Sequence, residues 1–204
     1  MYSNFLNIID ILGTAAFAVS GVFAAMERRL DVFGVFIIAF ASAIGGGTIR
    51  DILVGNLPIN WLQNALAIKV IFVSAFVTMV FGSYLKQLNS ALFLFDALGM
   101  GLFTIVGMEI GLKKGFGPGV CIALGTITAC FGGVLRDVLL NKVPLIFRTE
   151  IYALACIIGG VVYYFVRKTV VHDDIAKILS ILLIFAIRVV AVRYKLSLPR
   201  VGLK

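Results

Sequence analysis

Seven apolar runs, each close to 20 residues, occupy most of the sequence: about 5–26, 32–52, 62–84, 91–112, 117–140, 149–167 and 174–194. A run of that length is what an α-helix needs to cross roughly 30 Å of hydrocarbon. Lipid offers no hydrogen-bond partners, so each run must satisfy its own backbone as a helix. The expectation is an all-α integral membrane protein with seven transmembrane helices in a single membrane domain, 1–204. Composition agrees: 61% of residues are hydrophobic and only 14% are charged, where soluble domains carry about a quarter. The first run is too long for a signal-peptide core and has no basic residues ahead of it, so it is expected to stay as a helix.

An odd number of spans puts the two ends of the chain on opposite sides. One side collects Arg28, Arg29, Lys86, Lys142, Arg148, Arg193, Lys195, Arg200 and Lys204; the other collects Lys113, Lys114, Arg167, Lys168 and Lys177. Basic residues concentrate in the cytoplasm. The N-terminus is therefore expected outside and the C-terminus in the cytoplasm, with the chain in the cell (inner) membrane. The formal charge of +8 is explained by these connections, so nucleic acid is not expected as a partner. Cys121, Cys130 and Cys156 lie within apolar runs with no CxxC or Cys/His cluster, and neither a disulfide nor a metal or other cofactor is assigned. His172 stands alone in a polar connection.

The sequence also matches itself, without a gap, at a shift of 86 residues. Asp10, Leu12, Gly13, Phe17 and Gly21 fall on Asp96, Leu98, Gly99, Phe103 and Gly107. Ser42 falls on Thr128, and Gly46, Gly47, Arg50, Asp51, Leu53 and Pro58 fall on Gly132, Gly133, Arg136, Asp137, Leu139 and Pro144. Unrelated apolar helices would match Leu and Val, but seldom Asp, Arg and Pro together. The shift spans three helices, so the second copy enters the membrane from the opposite side. Two inverted three-helix repeats are expected, 5–84 and 91–167, with 174–194 as an unpaired seventh helix. Such repeats are typical of transport proteins, and glycine-interrupted segments at matching positions point to the solute path.

The glycine clusters "GGGTIRD" (45–51) and "GGVLRDVL" (132–139) are the candidate site. Glycine costs a helix about 1 kcal/mol relative to alanine, so breaks are expected at Gly45, Gly46, Gly47, Gly132 and Gly133. Freed backbone groups cannot face lipid and must face protein or water. Ser42 and Thr128, polar but uncharged, are expected to line the same path. Arginine at membrane depth must be paired or hydrated. Neighbours on a helix do not face each other, which leaves two readings for Arg50, Asp51, Arg136 and Asp137. Either they pair across the repeats, Arg50 with Asp137 and Arg136 with Asp51, or they sit near an interface and reach the headgroups. Asp10 and Asp96 are read as pore-mouth acids or helix N-terminal charges.

The paired motifs, each followed by Pro58 or Pro144, resemble the prokaryotic trimeric intracellular cation (TRIC) channel family, also described as a bacterial glycine-transporter domain family. The resemblance spans about residues 5–195. It implies a homotrimer in which each protomer holds its own pore, lined by the glycine-kinked second and fifth helices with the first and fourth. It also implies permeation of monovalent cations, chiefly potassium, with sodium as the other candidate, and membrane lipids as neighbours. Phe131 stands where the second copy would have a third glycine, so its bend is expected to be stiffer. A secondary transporter of a small amino acid such as glycine is the alternative. An enzyme is not expected: there is no GxSxG or HExxH.

Overall fold

The computed structural model describes residues 4–85, 91–147, 151–169 and 172–196. It is entirely helical among these residues, with helices α1 Asn4–Glu27, α2 Val32–Leu53, α3 Asn60–Gln63, α4 Ala65–Leu85, α5 Ala91–Lys113, α6 Pro118–Leu139, α7 Ala153–Thr169 and α8 Asp173–Arg193, plus a single 3-10 turn at Leu145–Phe147. Six of them, α1, α2, α4, α5, α6 and α8, are long and apolar enough to cross a membrane. The chain is an all-α, multi-pass membrane protein.

The expected count of seven spans is not met by length. The sixth run forms α7, which has 17 residues and is about 25 Å long at 1.5 Å per residue. Its start is delayed because Ile151 and Tyr152 are not helical, and its last turn carries Arg167 and Lys168. The third run is likewise split: α3 ends at Gln63, the φ of −114° and ψ of 85° at Asn64 are not helical, and α4 begins after it. Residue 149, and Lys86, Arg148, Arg200 and Lys204 of the charge pattern, lie outside the described residues.

α1 and α5, the first helices of the two expected repeats, are the most enclosed of the six long helices. α5 packs against α1, α6, α7 and α8, while α2 packs against α1 and α6. The end of α1 and the end of α6 share one face of the molecule, where Lys142 Nζ lies 2.8 Å from Glu27 Oε2. The end of α8 shares that face too, since Arg188 Nη1 donates to Ile151 O just before α7 (3.3 Å). We term it the C face. The opposite N face carries the start of α1 with the ends of α2 and α5, where Leu6, Arg50 and Ile110 meet.

Contacts between the halves are reciprocal under the 86-residue shift. A Cβ on Gly13 would lie 2.7 Å from the Phe103 ring, and one on Gly99 would lie 2.7 Å from the Phe17 ring. Those two rings stack on each other with centroids 5.4 Å apart. A Cβ on Gly46 would strike the Thr128 carbonyl, and one on Gly132 the Ser42 carbonyl. Contacts that exchange partners in this way are the signature of a two-fold relation, with the Phe17–Phe103 pair near its axis. Lipid is as apolar as these side chains, so close backbone approach at small residues is what holds such helices together.

Candidate functional site

The expected breaks in α2 and α6 are not present. Both helices run uninterrupted through Gly45–Gly47 and Gly132–Gly133. The glycines at 46 and 132 instead form the crossing of α2 and α6, each lying on the other helix's carbonyl. Helical hydrogen bonds already satisfy the backbone, so the weakness of glycine is offset by the closeness of the crossing.

Ser42 and Thr128 belong to the same packing. Their hydroxyls donate to Ile38 O (2.7 Å) and Leu124 O (2.6 Å) on their own helices. A Cβ on Gly21 or Gly107 would lie 2.7 or 2.5 Å from those hydroxyl oxygens. Both residues are fully buried, and neither lines the pockets described below.

Each arginine pairs with its own neighbour in sequence, contrary to both expected arrangements. Arg50 Nε and Nη2 donate to Asp51 Oδ1 at 3.0 and 2.8 Å. Arg136 Nε donates to Asp137 Oδ1 at 3.0 Å. All four side chains are buried, Arg50 at 3% and Arg136 at 1% exposure, so they do not reach headgroups. The long arginine stem folds back over the final turn, which spacing on a helical wheel does not anticipate. The other carboxylate oxygen of each aspartate accepts from the chain beyond the proline: Asp51 Oδ2 from Asn60 N (2.9 Å) and Asp137 Oδ2 from Leu145 N (3.2 Å). The Arg-Asp pair thus ties a strap, α3 in one half and the 3-10 turn in the other, to the helix end. A buried guanidinium and a part-buried strap amide are satisfied by one carboxylate.

The two ends then differ. On the N face, Asp10, Gly47, Arg50, Asp51, Asn60 and Trp61 line a pocket of about 360 Å³ that reaches inward to Thr14, Ala43, Ile44 and Phe103. A second hollow of about 210 Å³ shares Asp10, Arg50 and Asn60 with it and adds Val106. Trp61 Nε1 donates to Thr48 Oγ1 (3.1 Å), and its ring meets Phe40 edge-on at 5.2 Å. On the C face, Arg136 Nη1 donates at 2.7 Å to both Asp96 Oδ1 and Ser20 Oγ, and Asp96 is fully buried. Asp10 and Asp96 are therefore not equivalent: one lines a pocket, the other is sealed in an ion pair. In each cluster one guanidinium faces two carboxylates, Arg50 with Asp10 and Asp51, and Arg136 with Asp96 and Asp137.

Ser20, Asn60, Trp61 and Tyr152 escape the sequence reading. The match of Pro58 with Pro144 marks the straps that carry Asn60 and Trp61. Ser20 and Tyr152 have no signal in the repeat, because their counterparts are Val106 and Leu66. A further network, not anticipated, joins α5, α7 and α8 on the N face: Tyr163 Oη donates to Glu109 Oε1 (2.6 Å), and Lys177 Nζ lies 2.6 Å from Asp173 Oδ2.

A family model described as "Glycine transporter" matches the chain twice, over residues 7–83 and 93–168, and the two matches begin 86 residues apart. The UPF0126 inner membrane protein YadS of Escherichia coli K12 is 37% identical over 197 residues, covering 96% of this chain and 95% of that protein. A UPF0126 membrane protein of Vibrio cholerae is 37% identical over 202 residues, covering 98% and 84%. Among solved structures, the TRIC trimeric intracellular cation channel orthologue from Rhodobacter sphaeroides superposes with a TM-score of 0.89 at 29% identity, covering 95% of this chain and all of that one. Another structure, described as showing the basis for conductance through TRIC cation channels, gives 0.86 at 33% identity, covering 97% and 98%. The C. elegans channel, at 14% identity and a TM-score of 0.63, shares the fold alone. The chain belongs to the glycine-transporter family and has the fold of the trimeric intracellular cation channels.

Proposed function

We propose that the chain is a passive channel for monovalent cations, chiefly potassium, with one pathway in each protomer of a homotrimer. The observation that carries it is the charge of the N-face pocket: a single guanidinium, already engaged by Asp51, against the carboxylates of Asp10 and Asp51. Excess carboxylate focuses cations at a mouth and repels anions. The pathway runs from this pocket, between α1, α2, α5 and α6, past the Phe17–Phe103 pair to the C-face cluster. Repeats at 5–84 and 91–167 give the two mouths, and α8 stands outside them. The N face is extracellular and the C face cytoplasmic, in keeping with the distribution of basic residues in the inner membrane. The similar TRIC structures, described as trimeric and cation-conducting, support both the permeant class and the trimer.

A second reading draws on the same pocket. Arg50 and Asp10 place both signs of charge around one hollow, which also suits a zwitterion such as glycine, carried rather than conducted. Purified protein in planar bilayers under a potassium gradient, with glycine on one side, separates the two. Discrete ohmic currents reversing near the potassium potential are the expected result. Electrical silence together with saturable glycine exchange in matching liposomes would overturn it in favour of the carrier.

A further inference from the structure

The two-fold relation predicts a pocket over Gly133 at the C face, and among the described residues that space is filled. Its lining can be written out by adding 86 to the residues of the N-face pocket: Asp10 gives Asp96, Ile44 gives Cys130, Gly47 gives Gly133, and Arg50 gives Arg136. Over Gly47 the space is open; a Cβ there would meet nothing closer than the Arg50 side chain at 3.6 Å. Over Gly133 the same space is taken by Tyr152, whose hydroxyl would lie 2.6 Å from an added Cβ.

Tyr152 has no counterpart that could do this in the other half, where Leu66 stands and is half exposed. It comes from the non-helical residues that shorten α7. Its ring is backed by Arg188 of α8, the helix without a repeat partner, with the guanidinium carbon 4.6 Å from the ring centroid. Arg188 also lies 5.2 Å from the Phe93 ring and donates to Ile151 O. The Tyr152 hydroxyl is buried with no hydrogen-bond partner among the described residues, and so is Asp96 Oδ2. A buried hydroxyl left unbonded is a cost, so ring bulk and Arg188, rather than a hydrogen bond, hold Tyr152 in place. Water entering with the ring withdrawn would satisfy both orphaned oxygens.

We infer that Tyr152 is a plug seated in the C-face mouth, latched by Arg188, and that its withdrawal opens a second pocket over Gly133 lined by Asp96, Cys130 and Arg136. As a gate on permeation it rests on the channel reading; as a plug it does not. Cys130 provides a readout independent of transport, because it is 1% exposed here and occupies the position at which Ile44 lines the open pocket.

The test uses full-length protein in liposomes, with Cys121 and Cys156 replaced by Ala and a membrane-impermeant thiol reagent applied at the C face. Tyr152→Ala is expected to raise the rate of Cys130 labelling at least tenfold and to increase potassium flux. Arg188→Gln is expected to raise both by less. Tyr152→Phe is expected to match the wild type, since the hydroxyl bonds nothing among the described residues. Ile184→Ala, on α8 and equally buried, controls for loosening of the fold and must leave Cys130 protected. Protection of Cys130 in folded Tyr152→Ala, or labelling raised equally by Ile184→Ala, overturns the plug. Fast labelling without flux in any protein, wild type included, keeps the plug and removes the channel. Should Tyr152→Ala not fold, Tyr152→Leu and Arg188→Gln decide by the same two rates.

Discussion

Gly46 and Gly47 are adjacent, identical and in the same helix, yet alanine should have opposite effects at the two positions. Either substitution gains about 1 kcal/mol of helix propensity, and this term is common to both. The surroundings differ. At Gly46 the new Cβ would be driven into the Thr128 carbonyl, with the carbonyl carbon at 2.9 Å. Those are backbone atoms of α6, so no rotamer change relieves them and the two helices must part. Overpacking of this kind costs about 1–3 kcal/mol. At Gly47 the nearest atoms are the tip of Arg50 at 3.6 Å, an ordinary contact beside a pocket. The difference between Gly46→Ala and Gly47→Ala is thus the packing cost alone, about 1–3 kcal/mol, with Gly47→Ala at or above wild-type stability. Thermal unfolding of the two purified variants in one detergent, followed by fluorescence-detected gel filtration, measures it. An equal effect of alanine at both positions would refute the crossing, because only Gly46 lies on the backbone of α6.

Asp96→Asn should cost about 1.5–3 kcal/mol, because it weakens the charge-assisted bond to the buried Arg136, which keeps Asp137, whereas Asp10→Asn, outside any ion pair among the described residues, should change stability by less than about 1 kcal/mol while lowering cation selectivity; denaturation midpoints and reversal potentials check the two. Trp61→Phe keeps the edge contact with Phe40 but loses the bond to Thr48, and should loosen the α3 strap by about 0.5–1.5 kcal/mol, read as faster hydrogen exchange at Asn60. Val106→Ser supplies at the N face the hydroxyl that Ser20 supplies to Arg136. It should draw Arg50 toward Asp10 and reduce potassium conductance, and an unchanged conductance would show that the pocket does not carry the current.

What the sequence made legible was whatever repeats or alternates between lipid and protein. The long apolar runs became helices because lipid leaves the backbone no other solution. The 86-residue match became a two-fold set of contacts because the matched residues, Gly13 with Phe103 and Gly99 with Phe17, meet across it. The charged motif was found but its partners were misjudged. Helical-wheel reasoning compares Cβ directions, and the Arg50 stem is long enough to return to the residue next to it. The glycines were likewise located but assigned breaks, because propensity speaks about an isolated helix while the crossing depends on a second helix 86 residues away. Least legible were the departures from symmetry: Ser20 against Val106, Tyr152 against Leu66, and Arg188 on a helix with no counterpart. A repeat can be read from identities, but a mechanism needs its two ends to behave differently. It is these unmatched residues, silent in any self-comparison, that leave a pocket beside Arg50 and a tyrosine over Gly133.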